Sequence, residues 1–453
     1  MNLFRASRNL EILFFGVCSM PNVLLSIRRL TVVPLVIAVL TSASAQTKSR
    51  SSVTPNIQLP LGHSSALQLP IVAPLFVEDD EFTSTLILLN GTAVPTYADV
   101  ALHAPDGTTV AKKRIQFSPH SQQQISIREF RATGTEPNIS TGSITVSQDP
   151  KPAGMTIVGG LAITQLSSGT MHYIDEELAM PMLGLPGPTS SQTLRGISDS
   201  SDGPPLIAIA SLTRVTQHIS VLCVSGTQRQ KSTVIVAPGQ ALLLPACDSA
   251  PTTGADLHWY EANGAHKAYL PTGISLTTDG VPGSFAAFGL APHDLPQGRY
   301  FSSISFDDPT TQSSMHTFTG IPVGAANPLG YGISTPLIAL ANFSSSPRHV
   351  TLRYALTHDG VPSVNTVASV TLAPSSSQQI TLSGLTGDPL LQDSFIEQDD
   401  ADPGDVQVKM LSKVDSSPSE IEMVAKDFNA PANGGNHPWT IENGTTSTLL
   451  LFN

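Results

Sequence analysis

The chain has 453 residues, of which 13% are charged, 40% are hydrophobic and 6% are aromatic, and its formal net charge is −12. An acidic surface repels phosphates and anionic headgroups, so this charge argues against nucleic acid or a membrane surface as the partner. The length allows about three domains of the usual ~100–200 residues, and the 34 glycines and 36 prolines favour a turn-rich all-β chain.

The N-terminal region has the pattern of a secretory signal peptide. Two arginines, Arg28 and Arg29, precede the apolar run Leu30–Leu40, and small residues follow up to Ala45. A basic segment, an apolar core and a small-residue cleavage site predict export, with a signal peptide over 1–45. A retained single-pass anchor is the alternative, although the apolar run is short for a membrane span. The Ser- and Thr-rich residues 46–68 are predicted to form a flexible linker.

A strand with alternating polar and apolar residues occurs three times along the chain, most clearly at His349–Leu356. Period-two alternation indicates a strand with one buried face, because successive side chains point to opposite sides. Aligning the copies at offsets set by Asn90 and Asn342 gives three apolar columns, which a slip of one residue would destroy. The columns are Ala98, Ile219 and Val350; Val100, Val221 and Leu352; and Leu102, Cys223 and Tyr354.

The repeats predict three tandem antiparallel β-sandwich modules and the start of a fourth. Thr446–Asn453 closely restates Thr83–Asn90, the first strand of the first copy, although this last strand is alternatively the completion of the third module. The predicted modules span 69–182, 183–322 and 323–432, and residues 433–453 are the start of a truncated fourth module. Nothing in the pattern calls for long helices.

The repeated pattern T-S-T-L-x-L-x-N, followed by a proline and alternating strands, resembles exported bacterial proteins built from tandem immunoglobulin-like repeats. The resemblance covers about residues 70 to 432, and the second copy departs from it because Ser211 and Thr216 replace Asn and Pro. It implies an immunoglobulin-like sandwich fold and an extracellular setting. It implies no activity, because one sandwich fold hosts many functions.

The chain after the signal peptide contains two cysteines, Cys223 and Cys247, and both occupy apolar positions of the second module. In an exported protein they are candidates for one disulfide. The alternative is two separate buried thiols that fill core space. The sequence leaves these interpretations equal.

Two clusters are candidate binding sites. His258, Trp259 and Tyr260 could line a ligand face, because aromatic rings stack on sugars, although packing is the more common role of such a cluster. The acidic loop Asp399–Asp405 carries oxygen ligands suited to calcium, but its spacing does not match an EF-hand, and a solvated loop is the favoured interpretation. No other cofactor is predicted. Asn90, Asn138, Asn342 and Asn443 fit the glycosylation sequon.

The sequence contains no nucleophile elbow, zincin, P-loop or dinucleotide-binding pattern, so we expect no enzyme activity. The predicted function is a secreted, structural or adhesive β-protein at the cell surface or in the periplasm, with another protein or a surface polysaccharide as its partner. Two alternatives remain. One is the carbohydrate-binding accessory region of a secreted enzyme, and the other is a secreted hydrolase whose site carries no recognisable motif.

Overall fold

A computed structural model of the chain describes most of the sequence after residue 70. Nearly all regular structure in it is antiparallel strand, which confirms the all-β class predicted from the alternating pattern. The predicted signal peptide, the linker and Thr446–Asn453 lie outside the described residues. These are 71–132, 139–148, 157–165, 170–174, 192–247, 268–278, 280, 283–295, 298–311, 315–321, 334–358, 361–381, 392–398, 403–414, 420–423 and 426–427.

Residues 71–174 form a first pair of four-stranded sheets. The strands are β1 (Ile71–Val77), β2 (Phe82–Asn90), β3 (Thr96–His103), β4 (Thr109–Phe117), β5 (Gln122–Ser126), β6 (Thr141–Gln148), β7 (Ile157–Gln165) and β8 (Thr170–Ile174). One sheet, here called the front sheet, has the order β1-β6-β3-β4. The other, the back sheet, has the order β5-β2-β7-β8.

Residues 192–304 form a second pair with the same topology. The strands are β9 (Gln192–Ser198), β10 (Leu206–Ser211), β11 (Gln217–Ser225), β12 (Gln228–Val236), β13 (Ala241–Pro245), β14 (Thr272–Thr278), β15 (Phe285–Leu295) and β16 (Gly298–Ile304). The front sheet has the order β9-β14-β11-β12 and the back sheet the order β13-β10-β15-β16. A 3-10 turn, Pro309–Thr311, follows the last strand.

Residues 315–427 form the third pair. The strands are β17 (Met315–Ile321), β18 (Ser334–Asn342), β19 (Arg348–His358), β20 (Val361–Leu372), β21 (Ser376–Thr381), β22 (Gln392–Gln398), β23 (Val406–Val414), β24 (Glu420–Met423) and β25 (Lys426–Asp427). Its back sheet is β21-β18-β23-β24, and its front sheet is β20-β19-β22-β17 with β25 added beside β17. A second 3-10 turn, Pro403–Asp405, precedes β23.

The predicted apolar columns lie in equivalent strands of the three front sheets, β3, β11 and β19. Val100, Val221 and Leu352 are all at most 3% exposed, and Ala98, Ile219 and Val350 are buried in the same way. In the first two pairs these side chains share one core with side chains of the back sheet. The side chain of Tyr354 is outside the described set. The module boundaries themselves stay a prediction.

One short helix replaces part of a predicted strand. The sequence pattern extends the strand of Gln123 and Ile125 through Ile127, but β5 ends at Ser126 and helix α1 spans Ile127–Ala132. Ser126 Oγ accepts a hydrogen bond from the backbone N of Glu129 at 3.3 Å, which satisfies one of the free amides at the helix start. Ile127 and Phe130, three residues apart, are both buried in the core.

The front sheet of each pair packs against the back sheet of the pair that follows it. Between the first two pairs, Val72 of β1 packs with Ala210 and Ala241, and Ala241 N donates to Pro105 O at 3.0 Å. Between the second and third pairs, Ile197 and Val224 of the front sheet pack against Ala339, Ala341 and Phe343 of β18 and its following turn. The two junctions therefore use the same sheets in the same direction.

Strand β10 shows why the second strand of the second copy is a continuous apolar run. Ile207 and Ile209 face the core of their own pair, whereas Leu206 and Ala208 belong to the apolar cluster of the first pair. A strand with both faces covered does not alternate in polarity. All six residues of β10 are buried as a result.

The repeated asparagine is a structural element of the turn between the second and third strands. Asn90 is fully buried, and its Nδ2 donates to Val94 O and Ser118 O, both at 2.9 Å, while its Oδ1 accepts from Thr92 N at 3.1 Å. Asn342 makes the equivalent bonds in the third pair, to Ser346 O and Ala373 O at 2.9 Å. Each side chain satisfies two backbone carbonyls of the turn region, which lack a partner in the sheet ladder.

The second pair lacks this asparagine and supplies the amide from another position. Gln217 Nε2 donates to Val215 O at 3.3 Å and to Thr213 Oγ1 at 2.9 Å. Val215 corresponds to Val94, and Gln217 corresponds to Thr96, in the alignment of the copies. The donor has therefore moved six residues along the chain while the carbonyl that it satisfies has stayed in place.

Candidate functional site

A group of four buried polar side chains lies where the second and third pairs meet, and we call it the junction cluster. It consists of Asp199, which directly follows β9, His293 on β15, Ser302 on β16 and Lys409 on β23. Their exposed fractions are 0%, 4%, 7% and 5%. Charged groups are rarely buried to this degree unless they are paired, so the cluster requires a physical account.

The register of the β15–β16 hairpin brings His293 and Ser302 together. Ala291 pairs with Ser302, and His293 lies two residues further on the same face. His293 Nε2 is 3.1 Å from Ser302 Oγ and 3.3 Å from Asp199 Oδ2. Ser302 Oγ donates to Asp199 Oδ1 at 2.8 Å, so the carboxylate is in contact with both groups.

Lys409 reaches this carboxylate from the third pair. Its Nζ lies 3.7 Å from Asp199 Oδ1 and donates to Ser303 O at 2.5 Å. Removing one partner of a buried ion pair leaves an uncompensated charge, which typically costs about 3–5 kcal/mol. The pair therefore couples the packing of β23 to that of β9 and β16.

This arrangement differs from a Ser-His-Asp catalytic triad. In a triad one ring nitrogen contacts the serine, and the other contacts the carboxylate that orients the ring. Here the same nitrogen, His293 Nε2, faces both partners, and the Ser302 hydroxyl donates to Asp199. The geometry is that of a buried polar network, and it gives the hydrolase alternative no support.

A second polar group at the same junction involves the acidic loop that the sequence suggests for calcium. Arg348 donates to Asp405 Oδ2 through Nη2 at 2.5 Å and Nε at 3.1 Å, and Arg195 Nη1 lies 3.8 Å from Oδ1. Arg195 also donates to Gly404 O and lies over the ring of Phe343, 5.1 Å from its centroid. The Asp405 carboxylate is thus directed at two guanidinium groups.

The rest of the acidic loop, from Asp399 to Asp402, lies outside the described residues. Within the described ranges, no group of three or more His, Cys, Asp or Glu side chains is arranged to hold a metal ion. His258, Trp259 and Tyr260 also lie outside the described residues, so their role as a ligand face stays a prediction. Among the helices that the structure describes, none is long and apolar enough to cross a membrane.

Cys223 and Cys247 form a disulfide, with an S–S distance of 2.08 Å and a Cα–Cα distance of 5.5 Å. Cys223 lies on β11 in the front sheet, and Cys247 follows β13 in the back sheet. The bond therefore joins the two sheets of the second pair across its core. The structure therefore contains the disulfide, and the alternative of two separate buried thiols does not apply.

Two of the four glycosylation sequons are inaccessible in the folded chain. Asn90 and Asn342 have no exposed surface, and both Nδ2 atoms are hydrogen-bonded to backbone carbonyls. Asn138 and Asn443 lie outside the described residues. The sequon at the first two sites follows from turn chemistry, because the Thr or Ser two residues later donates its backbone N–H to the asparagine Oδ1.

Sequence reasoning did not identify the junction cluster. Gln407 and Lys409 alternate with apolar residues of β23, and they are 4% and 5% exposed. The available signal was the strand β18, whose apolar run indicates a covered outer face for the back sheet. Comparison with family models, curated proteins and solved structures finds no match for this chain.

Proposed function

We propose that the chain is an exported, non-enzymatic β-protein with a structural or adhesive role at the cell surface or in the periplasm. The predicted signal peptide supports export, and the repeated sheet pairs support a modular structural role. The observation that carries the proposal is the repeated junction, in which each front sheet packs against the next back sheet.

Junctions of this kind favour a fixed relative orientation of successive sheet pairs. Domains that share small polar interfaces usually move relative to each other, whereas large apolar interfaces restrain them. Here each junction combines buried apolar side chains with direct hydrogen bonds, such as Ser377 N to Gly226 O at 2.8 Å and Gly226 N to Ser377 Oγ at 2.7 Å. A restrained array suits a protein that presents a binding surface at a fixed distance from its anchor point.

The test measures attachment and turnover with the same purified chain, residues 46–453. The chain is coated on beads, and bead binding is measured on panels of immobilised surface proteins and polysaccharides. Supernatants are assayed in parallel for esterase, protease and glycosidase activity. We expect saturable binding to a protein or surface-polysaccharide target and no turnover.

A variant with a disrupted junction gives the matched control. Ala339→Asp places a carboxylate in the apolar contact with Ile197 and Val224, whereas Thr233→Asp adds the same charge on an exposed part of β12. If orientation matters for attachment, the first variant binds more weakly and the second binds like the parent chain. Hydrolysis of any substrate class at a rate abolished by a single substitution would overturn the proposal.

A further inference from the structure

The junction cluster places a primary amine beside a carboxyl group inside the protein. Lys409 Nζ and Asp199 Oδ1 are 3.7 Å apart, and the two residues are 5% and 0% exposed. They come from different sheet pairs, because Lys409 lies on β23 and Asp199 directly follows β9. Burial in a low-dielectric interior penalises the charged forms of both groups.

Proton transfer within the pair removes both charges. It converts the ammonium and the carboxylate into a neutral amine and a neutral carboxylic acid, which are the two reactants of amide formation. Groups held in contact by a folded protein react with effective molarities of about 10⁵–10⁸ M when they are well oriented. The protein also excludes the bulk water that would favour the free acid and amine.

The other members of the cluster are placed to assist such a reaction. His293 Nε2 faces Asp199 Oδ2 at 3.3 Å, and Ser302 Oγ donates to Oδ1 at 2.8 Å. The hydrogen bond from Ser302 draws electron density from the carboxyl carbon and stabilises the oxyanion that forms on attack. The Ser303 carbonyl accepts from Lys409 Nζ at 2.5 Å and holds the nitrogen beside the carboxyl group.

We propose that Lys409 and Asp199 condense to an intramolecular isopeptide bond that covalently joins the second and third sheet pairs. The neutral Nζ attacks the Asp199 Cγ, the C–N bond forms, and one C–O bond breaks. The departing oxygen leaves as water with the proton that the carboxyl group carried and one proton from Nζ, which His293 transfers. The overall change is ammonium plus carboxylate to amide plus water, so no oxidant, nucleotide or cofactor is consumed.

Peptide mapping of the full chain tests the proposal directly. The protein is denatured, its disulfide is reduced and alkylated, and it is digested with trypsin before mass spectrometry. We expect a branched species whose mass equals the peptides containing Asp199 and Lys409 less one water molecule. Trypsin will also fail to cleave after Lys409, because the acylated side chain carries no charge.

Two variants separate the bond from an ordinary ion pair. Lys409→Arg keeps a cation that can pair with Asp199 but removes the reactive amine, so the branched species disappears. His293→Gln keeps a polar side chain but removes the proton-transfer group, so the linked fraction of freshly folded protein falls and recovers with time. Full recovery of the two unlinked peptides from the parent chain would overturn the proposal, and this outcome does not depend on how any variant folds.

Discussion

The turn asparagine of the first sheet pair provides a sharp test of how the repeat specifies its fold. Asn90→Ser removes two hydrogen bonds, from Nδ2 to Val94 O and to Ser118 O, at a site with no exposed surface. A neutral hydrogen bond contributes about 0.5–1.5 kcal/mol, and both of these bonds are part-buried. We therefore expect the loss of two bonds to lower the local free energy of unfolding by about 1–3 kcal/mol.

The second pair shows how this loss can be reversed. There Ser211 stands at the position of Asn90, and Gln217, at the position of Thr96, supplies the amide that donates to Val215 O. Adding Thr96→Gln to Asn90→Ser rebuilds this arrangement in the first pair, so it should recover at least half of the lost stability. Thr96→Gln alone should destabilise the chain, because Thr96 is 1% exposed and the longer side chain must displace its packed neighbours.

Native-state hydrogen exchange read by mass spectrometry measures these effects locally, since it reports opening free energies segment by segment. Peptides covering Phe82–His103 should lose protection in Asn90→Ser, whereas peptides of β18 and β19 should not. Val94→Ala is the control within the same turn, because its side chain is 45% exposed. A loss below about 0.5 kcal/mol for Asn90→Ser, or no rescue by Thr96→Gln, would refute the reasoning.

Three further outcomes are expected. Ala339→Asp should lower the free energy of unfolding by about 3 kcal/mol or more, because it buries an unpaired charge at the second junction. Urea titration measures this loss, and the control Thr233→Asp should unfold with the same free energy as the parent chain. The double variant Cys223→Ser, Cys247→Ser should lower the free energy of unfolding of the second pair by about 3 kcal/mol, because the unfolded chain regains the entropy of a loop that the disulfide closes across 24 residues. Hydrogen exchange should show no change in the first pair. Burial lowers the pKa of His103 below its usual 6.5, and a backbone hydrogen bond at Gly107 opposes this with a smaller raising effect. The neutral ring therefore contributes stability above pH 6.5, and this contribution is lost as the pH falls through the lowered pKa of the folded state. His103→Asn should flatten the decline in stability measured by urea unfolding between roughly pH 7 and 5.

The core-facing half of each front sheet was predictable from the sequence. Val100, Val221 and Leu352 follow a strict period of two, and that pattern depends only on which face of a strand is buried. The same local rule predicts the β5 end incorrectly, because Ser126 and Glu129 form a helix-start signal that competes with the strand pattern around Ile125. A capping pattern four residues long, Ser126–Glu129, outweighs alternation where the strand is already ending.

The junctions were not predictable from local pattern, because they depend on which outer faces meet. Lys409 lies between the apolar residues Val408 and Met410, which is the alternation typical of a solvent-exposed strand residue. Its burial follows from the packing of a whole sheet against another, and no spacing within β23 encodes that contact. The same holds for Arg195 and Asp405, which come from strands and turns of different sheet pairs.

The apolar and polar parts of the second junction have different physical roles. Contacts such as those of Ala339 and Ala341 with Val224 stabilise the junction, but hydrophobic contact is non-directional and tolerates sliding of one sheet over another. Lys409 Nζ reaches Ser303 O, and Arg195 reaches Gly404 O, only in a narrow range of relative positions, because hydrogen bonds weaken steeply with distance and angle. The apolar faces therefore bring the sheets together, and the charged groups at their margin select one register. This division explains why a junction between two largely apolar faces contains side chains that are costly to bury.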